Sequence, residues 1–323
     1  MEHSGELEKA LLGARLELTR REVAAEAGVA LEQAQQVWSA MGLPEVPDDE
    51  RAFTGRDVDA LRTFAGLRSS GLVDVETSLV LARAMGQGLS RLAEAQVEAF
   101  RALSAGMTLQ EATEVATTSA EQVMPRLEQL VVHVWRRQFT AAVTRSLAYA
   151  GQEGLPVLAV GFVDLVDFTR SARSWDSATL QRLLERFERD TSLRVTAAGG
   201  RVVKTLGDEV LYVSDDAASA VEVALQTVAA HEADHELPSV RAGVALGPVL
   251  IRLGDVFGQP VNLASRLTDQ ARPGTLLVDD LAAADLDGHP SYAVKALRRR
   301  SVRGYRALTP HLVRIAGPEQ SRH

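Results

Sequence analysis

Two aspartates in the second half of the chain have the surroundings expected of a divalent-metal site. Asp164 ends the apolar, strand-like run VGFVD, and Asp208 lies in the turn of LGDE between two further strand-like runs. If these strands are neighbours in one sheet, the two carboxylates converge at one edge. Two carboxylates with few other protein ligands suit Mg²⁺ that is also held by substrate phosphates. A pair of solvated turn acids is the alternative, and LGDE alone favours it.

The segment DLVDFTR, which begins at Asp164, favours phosphate chemistry. A buried strand that ends in an acid and then turns into a helix exposes backbone N–H groups beside the carboxylate. Such a turn can hold a polyphosphate while the acid binds the metal ion. The turn and the two aspartates together indicate phosphoryl chemistry.

A second set of polar side chains lies further along, in GDVFGQPVNLASRLTDQARPG. Asn262 and Arg266 are four residues apart at the start of a predicted helix and therefore share one face. An amide can orient a sugar, and a guanidinium can hold phosphate oxygens in a forked geometry. An ordinary helix start with two surface side chains is the alternative for this segment taken alone.

Lys204 is an unusual residue for this chain. Three of the 35 basic residues are lysines, at positions 9, 204 and 295. Lys204 ends the apolar run RVVK, four residues before Asp208. A lysine at this place supplies a compact, single-point hydrogen-bond donor rather than a forked one.

The elements that would carry these residues have the order β-α-β-β-α-β from about residue 155. This order predicts an α+β fold with a ferredoxin-like, split βαβ core. Residues 1–150 have a helical composition instead, rich in Ala, Leu, Glu and Gln. The predicted organisation is a helical domain over 1–119, a connecting helix over 120–150, a catalytic domain over 151–316 and a disordered tail over 317–323. Apolar residues on more than one face of the connecting helix predict packing on both sides.

The start of the helical domain has helix–turn–helix spacing, with helices near 19–26 and 31–41 around a turn at Gly28. Thr54 is the predicted N-cap of a later helix. The segment resembles MerR-type DNA-binding heads, which makes a DNA-binding regulator a rival interpretation. However, the second helix, LEQAQQVWSAM, contains no Lys or Arg, and residues 1–150 hold 15 basic against 21 acidic side chains. DNA binding requires several cations on one face, so we expect no nucleic-acid partner.

The composition is that of an ordinary globular protein, with 323 residues, a net charge of −8 and no cysteine. The lack of cysteine excludes disulfides and zinc–thiolate sites. No apolar run approaches the roughly 20 residues of a membrane-spanning helix, and the acidic N-terminus is unlike a secretory signal. We therefore expect a cytoplasmic protein without stable membrane insertion.

Three segments, FVDLVDFT, VVKTLGDEV and GDVFGQPVNLASR, together resemble the catalytic domain of class III nucleotidyl cyclases over about residues 155–316. The resemblance implies that each active site holds two Mg²⁺ or Mn²⁺ ions. It also implies a homodimer in which each site takes its metal ligands from one subunit and its other residues from the partner. The implied roles are metal binding for Asp164 and Asp208, adenine recognition for Lys204 and Asp255, ribose orientation for Asn262 and transition-state stabilisation for Arg266.

The resemblance also indicates the substrate. Adenine presents an acceptor at N1 and a donor at N6, which match the donor Lys204 and the acceptor Asp255. Guanylyl cyclases of the family use Glu and Cys at these places, so we expect ATP as substrate, and cyclic AMP and pyrophosphate as products. The expected phosphate contacts are the backbone amides around Leu165, Phe168 and Thr169, and the side chain of Arg303. For Arg303, in LRRRSVRGYR, a solvated basic strand is the alternative.

The chain departs from the family at Asp167, where the family usually has glycine. Aspartate tolerates turn conformations less freely than glycine, and its charge should repel a bound triphosphate or change the metal preference. A catalytically weak, cyclase-like regulator is therefore an alternative. A diguanylate cyclase is another, because LGDEV echoes the Gly-Gly-Asp-Glu-Phe turn of that family. That interpretation gives no role to Lys204, to Asp255 or to the VNLASR helix.

The N-terminal organisation resembles that of actinobacterial-type cyclases whose helical domain restrains the catalytic dimer. We expect the connecting helix to transmit regulation, because it is the continuous element between the two halves. His133 lies on this helix and is a candidate proton sensor, since histidine titrates near physiological pH. An ordinary helix histidine is the alternative. An apolar effector, such as a fatty acid, is a further candidate ligand of the helical domain.

Overall fold

A computed structural model describes residues 2–150, 154–168, 175–234, 236–302 and 305–317 of the chain. The chain divides into two compact units, Met1–Arg145 and Ser146–His323. Thr169 and Arg303, two of the predicted phosphate contacts, lie outside the described residues, as does nearly all of the predicted tail.

The first unit is helical, as its composition predicts. Its helices are α1 (Glu2–Leu12), α2 (Arg20–Ala27), α3 (Leu31–Ala40), α4 (Gly55–Ser69), α5 (Val75–Leu103), α6 (Leu109–Gln122) and α7 (Met124–Tyr149), which continues into the second unit.

The helix–turn–helix prediction is confirmed. Helix α2 ends in front of Gly28, whose φ of 69° is the left-handed conformation that favours glycine, and α3 follows at Leu31. Thr54 caps α4 as predicted, because its hydroxyl accepts a hydrogen bond from the Arg56 amide and Asp57 completes a capping box. A small apolar core joins these helices, formed by Val23, Ala24, Ala34, Phe53, Val58 and Leu61.

The connecting helix differs from its prediction in two respects. The prediction of one continuous helix over 120–150 is wrong, because α6 ends at Gln122 and α7 begins at Met124. Pro125 lies in the first turn of α7, where a missing N–H is tolerated, whereas a proline further inside would break a helix. The predicted packing on both sides is not found in the described chain, where no residue of α7 is buried. No helix among the described residues is both long and apolar enough to cross a bilayer.

The second unit is built on a seven-stranded sheet. Its elements are β1 (Val157–Leu165), α8 (Ser177–Ala197), β2 (Arg201–Thr205), β3 (Glu209–Ser214), α9 (Ala217–Ala233), β4 (Val240–Pro248), β5 (Leu250–Arg252), β6 (Asp255–Phe257), α10 (Gln259–Gln270), β7 (Leu276–Val278), α11 (Asp280–Asp285), β8 (Tyr292–Ala296), β9 (Arg300–Val302), β10 (Tyr305–Leu308) and β11 (His311–Ile315). The strand order is β2-β3-β1-β4-β7-β11-β8, with β7 parallel to β4. The antiparallel order β4-β1-β3-β2 confirms the predicted split βαβ core.

Apolar side chains cover both faces of the sheet. One core contains Val163 of β1 and Phe187 of α8. The core on the other face contains Val160 of β1, Leu267 of α10 and Val256 of β6. Because successive side chains of a strand point to opposite faces, the nearly continuous apolar run of β1 supplies both cores.

Helix α10 approaches β4 closely because residue 243 is a glycine. A Cβ atom at Gly243 would overlap the carbonyl of Ala264 and the amide of Thr268. The backbone of α10 therefore rests directly on the strand. This contact sets the position of the helix that carries Asn262 and Arg266.

Candidate active site

The strands β1 and β3 bring the predicted metal ligands to one edge of the sheet. They pair antiparallel, with Asp164 opposite Glu209. Asp208 ends the turn between β2 and β3, and its carbonyl accepts a 2.9 Å hydrogen bond from the amide of Leu165. Asp164 and Asp208 therefore lie on adjacent strand ends, as the sequence predicts.

Negative charge accumulates at this edge. The Asp164 side chain is only 13% exposed. Burial raises the pKa of Asp164, and the guanidinium of Arg241 offsets this only in part. Burial, followed by the Asp164 charge, raises the pKa of Glu209 to about 7. A bound cation would relieve this repulsion, so the edge suits a divalent ion.

The donor set is small. Among the described residues, no group of three or more His, Asp or Glu side chains is arranged to hold a metal ion. Two carboxylates, from Asp164 and Asp208, leave several coordination positions of Mg²⁺ or Mn²⁺ to water and phosphate oxygens. The residues present therefore fit a metal that binds together with a phosphate-bearing ligand.

Arg241 belongs to this edge, and the sequence interpretation missed it. It stands opposite Asp164 in the pairing of β1 with β4. Its Nε donates to Oδ2 of Asp164 at 2.7 Å, and its Nη1 donates to the carbonyl of Asp269 at 3.1 Å. The guanidinium is thus the counter-ion of the half-buried acid. A lone arginine at the start of the apolar run VRAGVAL is the sequence signal for it.

The predicted adenine-reading pair is brought together. Nζ of Lys204 on β2 donates to Oδ2 of Asp255 on β6 at 2.7 Å, and both side chains are about one-third exposed. Burial alone would raise the pKa of Asp255, but the Lys204 hydrogen bond and the Val256 amide outweigh it and lower the pKa. A donor and an ionised acceptor therefore stand side by side, open to a ligand.

Helix α10 carries the other two predicted residues. It begins at Gln259 with Pro260 in its first turn. Asn262 is exposed and Arg266 is half-buried, one turn apart on the same helix. Nη1 of Arg266 donates to Oδ2 of Asp269 at 3.1 Å. Within one chain, a series of ion pairs connects Arg266 to Asp269, Asp269 to Arg241 of β4, and Arg241 to Asp164.

The turn after β1 only partly matches the predicted phosphate cradle. The Leu165 amide already donates to the Asp208 carbonyl, and the Val166 amide donates to the Ser239 carbonyl at 2.8 Å. The Leu165 amide is therefore paired within the protein in this structure, and its contact with a phosphate stays a prediction. Asp167 has a φ of 55°, the left-handed conformation that favours glycine. Phe168 packs against the core, which fixes the end of the turn.

The candidate regulatory histidine lies on a different element. His133 is exposed on α7, in the helical unit. The same helix carries the exposed apolar side chains of Val132, Trp135 and Phe139. The predicted catalytic residues all belong to the second unit of the chain.

The fold and the site define a class of protein. A split βαβ sheet with acids at the end of β1 and before β3, followed by a helix with an amide and a guanidinium, is the arrangement of a nucleotide cyclase domain. A model of the adenylate and guanylate cyclase catalytic domain matches residues 152–314. A model of the adenylate cyclase regulatory domain matches residues 8–142. The chain therefore belongs to the adenylate and guanylate cyclase family, with a regulatory domain ahead of its catalytic domain.

Similar proteins agree with this assignment. An adenylate cyclase of Streptomyces coelicolor is 43% identical over 287 residues, which cover 87% of this chain and 74% of that protein. An adenylate cyclase of Glutamicibacter nicotianae is 37% identical over 94% of this chain and 80% of that protein. A pH-sensitive adenylate cyclase of Mycobacterium tuberculosis is 32% identical over 89% of this chain and 76% of that protein.

Solved structures of nucleotide cyclases match this chain at lower similarity. The adenylyl cyclase CyaB from P. aeruginosa is 20% identical, with a TM-score of 0.46 over 50% of this chain and 95% of that chain. The guanylate cyclase domain of RhGC from Catenaria anguillulae is 22% identical, with a TM-score of 0.48 over 51% of this chain and 100% of that chain. The family assignment rests on the sequence matches.

Proposed function

We propose that this chain is an adenylyl cyclase that converts ATP to 3′,5′-cyclic AMP and pyrophosphate. The observation that carries the proposal is the Lys204–Asp255 pair, held at 2.7 Å and partly exposed. The ammonium has three donors and the carboxylate several acceptor sites, so each keeps capacity for a ligand. Lys204 would donate to N1 of adenine and Asp255 would accept from its N6 amine. Guanine reverses this pattern of donors and acceptors.

The reaction joins two parts of one ATP molecule. The ribose 3′-oxygen forms a bond to the α-phosphorus, the bond from that phosphorus to the bridging oxygen of the β-phosphate breaks, and pyrophosphate leaves. The 3′-hydroxyl proton passes to solvent. Asn262 would orient the ribose, and Arg266 would stabilise the negative charge that develops on the α-phosphate.

Asp164 and Asp208 would hold two Mg²⁺ or Mn²⁺ ions per active site. Bound divalent ions lower the pKa of the 3′-hydroxyl and neutralise the triphosphate. Asp164 would bind the metal through its other carboxylate oxygen while Arg241 stays on Oδ2, because a carboxylate has several acceptor sites. Among the phosphate contacts, Phe168, Thr169 and Arg303 stay in the proposal, whereas the Leu165 amide is already paired.

We place the active sites between two copies of the chain. Arg266 is held by Asp269 of its own chain, so it reaches a metal-bound phosphate most simply on a partner.

Helix α7 offers a second argument for a dimer. Its exposed apolar side chains follow one another at helical spacing, and the rings of Trp135 and Phe139 stack at 5.8 Å. An apolar stripe of this kind on a helix without buried residues suits pairing with a second copy. The stripe consists of Val132, Trp135, Phe139 and Val143.

Regulation by the helical unit completes the proposal. The pH-sensitive relative supports a proton as effector, and His133 on α7 is the proposed sensor. An apolar effector of this unit is the second candidate. The sensor is supported if His133→Ala shifts the pH–activity profile and the surface variant Gln138→Ala does not. Identical profiles would exclude it.

We also propose a cytoplasmic location, in keeping with a chain that lacks cysteine.

The direct test is an incubation of the purified chain with ATP or GTP and either Mg²⁺ or Mn²⁺, followed by chromatography of the products. We expect cyclic AMP from ATP and little cyclic GMP from GTP. Asp208→Asn should reduce turnover on the order of a hundredfold or more, because a metal ligand is lost. The exposed Asp287→Asn removes the same charge away from the site and should leave turnover unchanged. Equal activity in all three proteins would refute the metal assignment.

A further inference from the structure

Asp255 stands on a hairpin that has little support of its own. The strands β5 and β6 have three residues each, and all three residues of β5 are exposed. Val256 is the buried residue of β6. The turn between the strands places both Leu253 and Gly254 at positive φ, 52° and 82°. An isolated two-stranded ribbon of this size is marginal in water, so its position needs an anchor elsewhere.

Arg201 supplies such an anchor. Its Nη1 donates a 2.8 Å hydrogen bond to the carbonyl of Gly254, 53 residues away in the sequence. Gly254 directly precedes Asp255. The guanidinium on β2 therefore holds the backbone of the hairpin at the residue next to the adenine-reading carboxylate.

A β-bulge in β2 places the Arg201 side chain on the face of the sheet that carries the hairpin. In a regular strand, Arg201 and Lys204 would point to opposite faces, because they are three residues apart. The pairing of β2 with β3 shifts register between Val202 and Lys204, so that Arg201 lies opposite Val213 and Lys204 opposite Leu211. One extra residue in β2 thus places both cations on the same face of the sheet.

That face is the one against which the hairpin packs. The partners of the two cations across β2 and β3, Val213 and Leu211, lie in the same apolar core as Val256 of β6. The two cations of β2 then bind the hairpin at successive residues. Arg201 holds the backbone at position 254, and Lys204 holds the side chain at position 255.

We propose that Arg201 is a positioning residue for purine specificity, which holds Asp255 where it can accept a hydrogen bond from the N6 amine of adenine. This inference rests on the proposed function, in which Lys204 and Asp255 read the base. Arg201 itself touches neither the base nor the reacting atoms. In its absence, Lys204 and Val256 still hold the hairpin, but the backbone next to Asp255 loses its anchor and the carboxylate is placed less precisely.

The test compares Arg201→Met with the control Arg252→Met, using steady-state kinetics with ATP and with GTP. Arg252 is an exposed arginine on the same hairpin, directly opposite Asp255 in the β5–β6 pairing. Loss of a hydrogen bond from a charged donor changes an equilibrium by about tenfold. For Arg201→Met we expect the KM for ATP to rise about tenfold at nearly constant kcat, and the ATP:GTP ratio of kcat/KM to fall about tenfold. Arg252→Met should stay within about twofold of the parent, and Arg201→Lys should recover part of the loss.

Two measurements separate a positioning role from a general loss of stability. The melting temperature of Arg201→Met should stay close to that of the parent, because Val256 keeps the hairpin in its core and the lost hydrogen bond lies at the exposed surface. An unchanged ATP:GTP ratio, or an equal loss of kcat with both nucleotides together with a lower melting temperature, would overturn the inference. The variant Asp255→Asn shows whether a failure of this inference also rules out the proposed base-reading pair. If Asp255→Asn changes the ATP:GTP ratio and Arg201→Met does not, the inference alone is wrong. If neither changes it, the assignment of the base-reading pair is wrong as well.

Discussion

Asp167 offers a test of how the turn after β1 limits the activity of the enzyme. It is an exposed aspartate with a φ of 55°. The resemblance to class III nucleotidyl cyclases leads us to expect glycine at this position. Asp167→Gly removes the strain of a left-handed residue and also removes a negative charge beside the triphosphate. Asp167→Asn removes the charge but keeps a side chain that tolerates the left-handed conformation about as well as aspartate does.

The two contributions have different sizes and different readouts. A left-handed conformation costs an aspartate about 1 kcal/mol relative to glycine. For a unit of this size, relief of that strain should raise the melting temperature by about 2–4 °C in Asp167→Gly. One unit charge beside a triphosphate, screened by solvent, is worth on the order of 1 kcal/mol. Both variants should therefore lower the KM for metal–ATP by about fivefold.

The assays are differential scanning fluorimetry without nucleotide and initial rates over a range of ATP and Mg²⁺ concentrations. We expect Asp167→Gly to change both the melting temperature and KM, and Asp167→Asn to change KM alone. The reasoning would be refuted if Asp167→Gly melted at or below the parental temperature, or if both variants bound metal–ATP no better than the parent.

Three further predictions concern charge, packing and base selection. Burial among acids raises the pKa of Glu209 from 4.5 to about 7, so the folded state keeps a proton that the unfolded state has released. We expect the unfolding free energy of the parent, measured by urea denaturation without divalent ions, to fall between pH 4.5 and 7 by on the order of 2 kcal/mol more than that of Glu209→Gln. Equal pH dependence in the two proteins would contradict this. Gly243→Ala should displace α10, lower kcat and lower the unfolding free energy by about 1–3 kcal/mol. The control Gly66→Ala has open space at its Cβ and should be neutral or slightly stabilising. A Gly243→Ala protein that is active and as stable as the parent would disprove the close contact. Lys204→Glu combined with Asp255→Cys should lower kcat/KM for ATP more than for GTP, and an equal loss with both nucleotides would argue against base reading by this pair.

Local signals explain how much of the fold is predictable from the sequence. Gly28 and Thr54 mark helix ends through their own backbone and side-chain chemistry, so these boundaries are confirmed. The apolar run of β1 and the order of the following elements predict the split βαβ sheet for the same reason. The site residues Asp164 and Asp208 follow, because the ends of paired strands must meet at one edge.

Features that depend on register or on remote contacts are not predictable in this way. The break before Pro125 was missed because the apolar pattern continues through it. Arg241 reaches Asp164 through strand pairing across 77 residues. Arg201 reaches the hairpin through a bulge in β2, and no local pattern in RVVKT indicates the extra residue. In each case, tertiary packing determines the geometry.

The most direct test of the shared active site is complementation between two inactive chains. The metal ligands and Arg266 of one chain are proposed to serve different active sites of the homodimer. Asp208→Ala and Arg266→Ala should each be inactive alone, and mixing them should create heterodimers with one intact site. After complete subunit exchange, shown by co-purification of two different tags, we expect about a quarter of the parental cyclic AMP production. A mixture that exchanges subunits and remains as inactive as either variant alone would contradict the shared site.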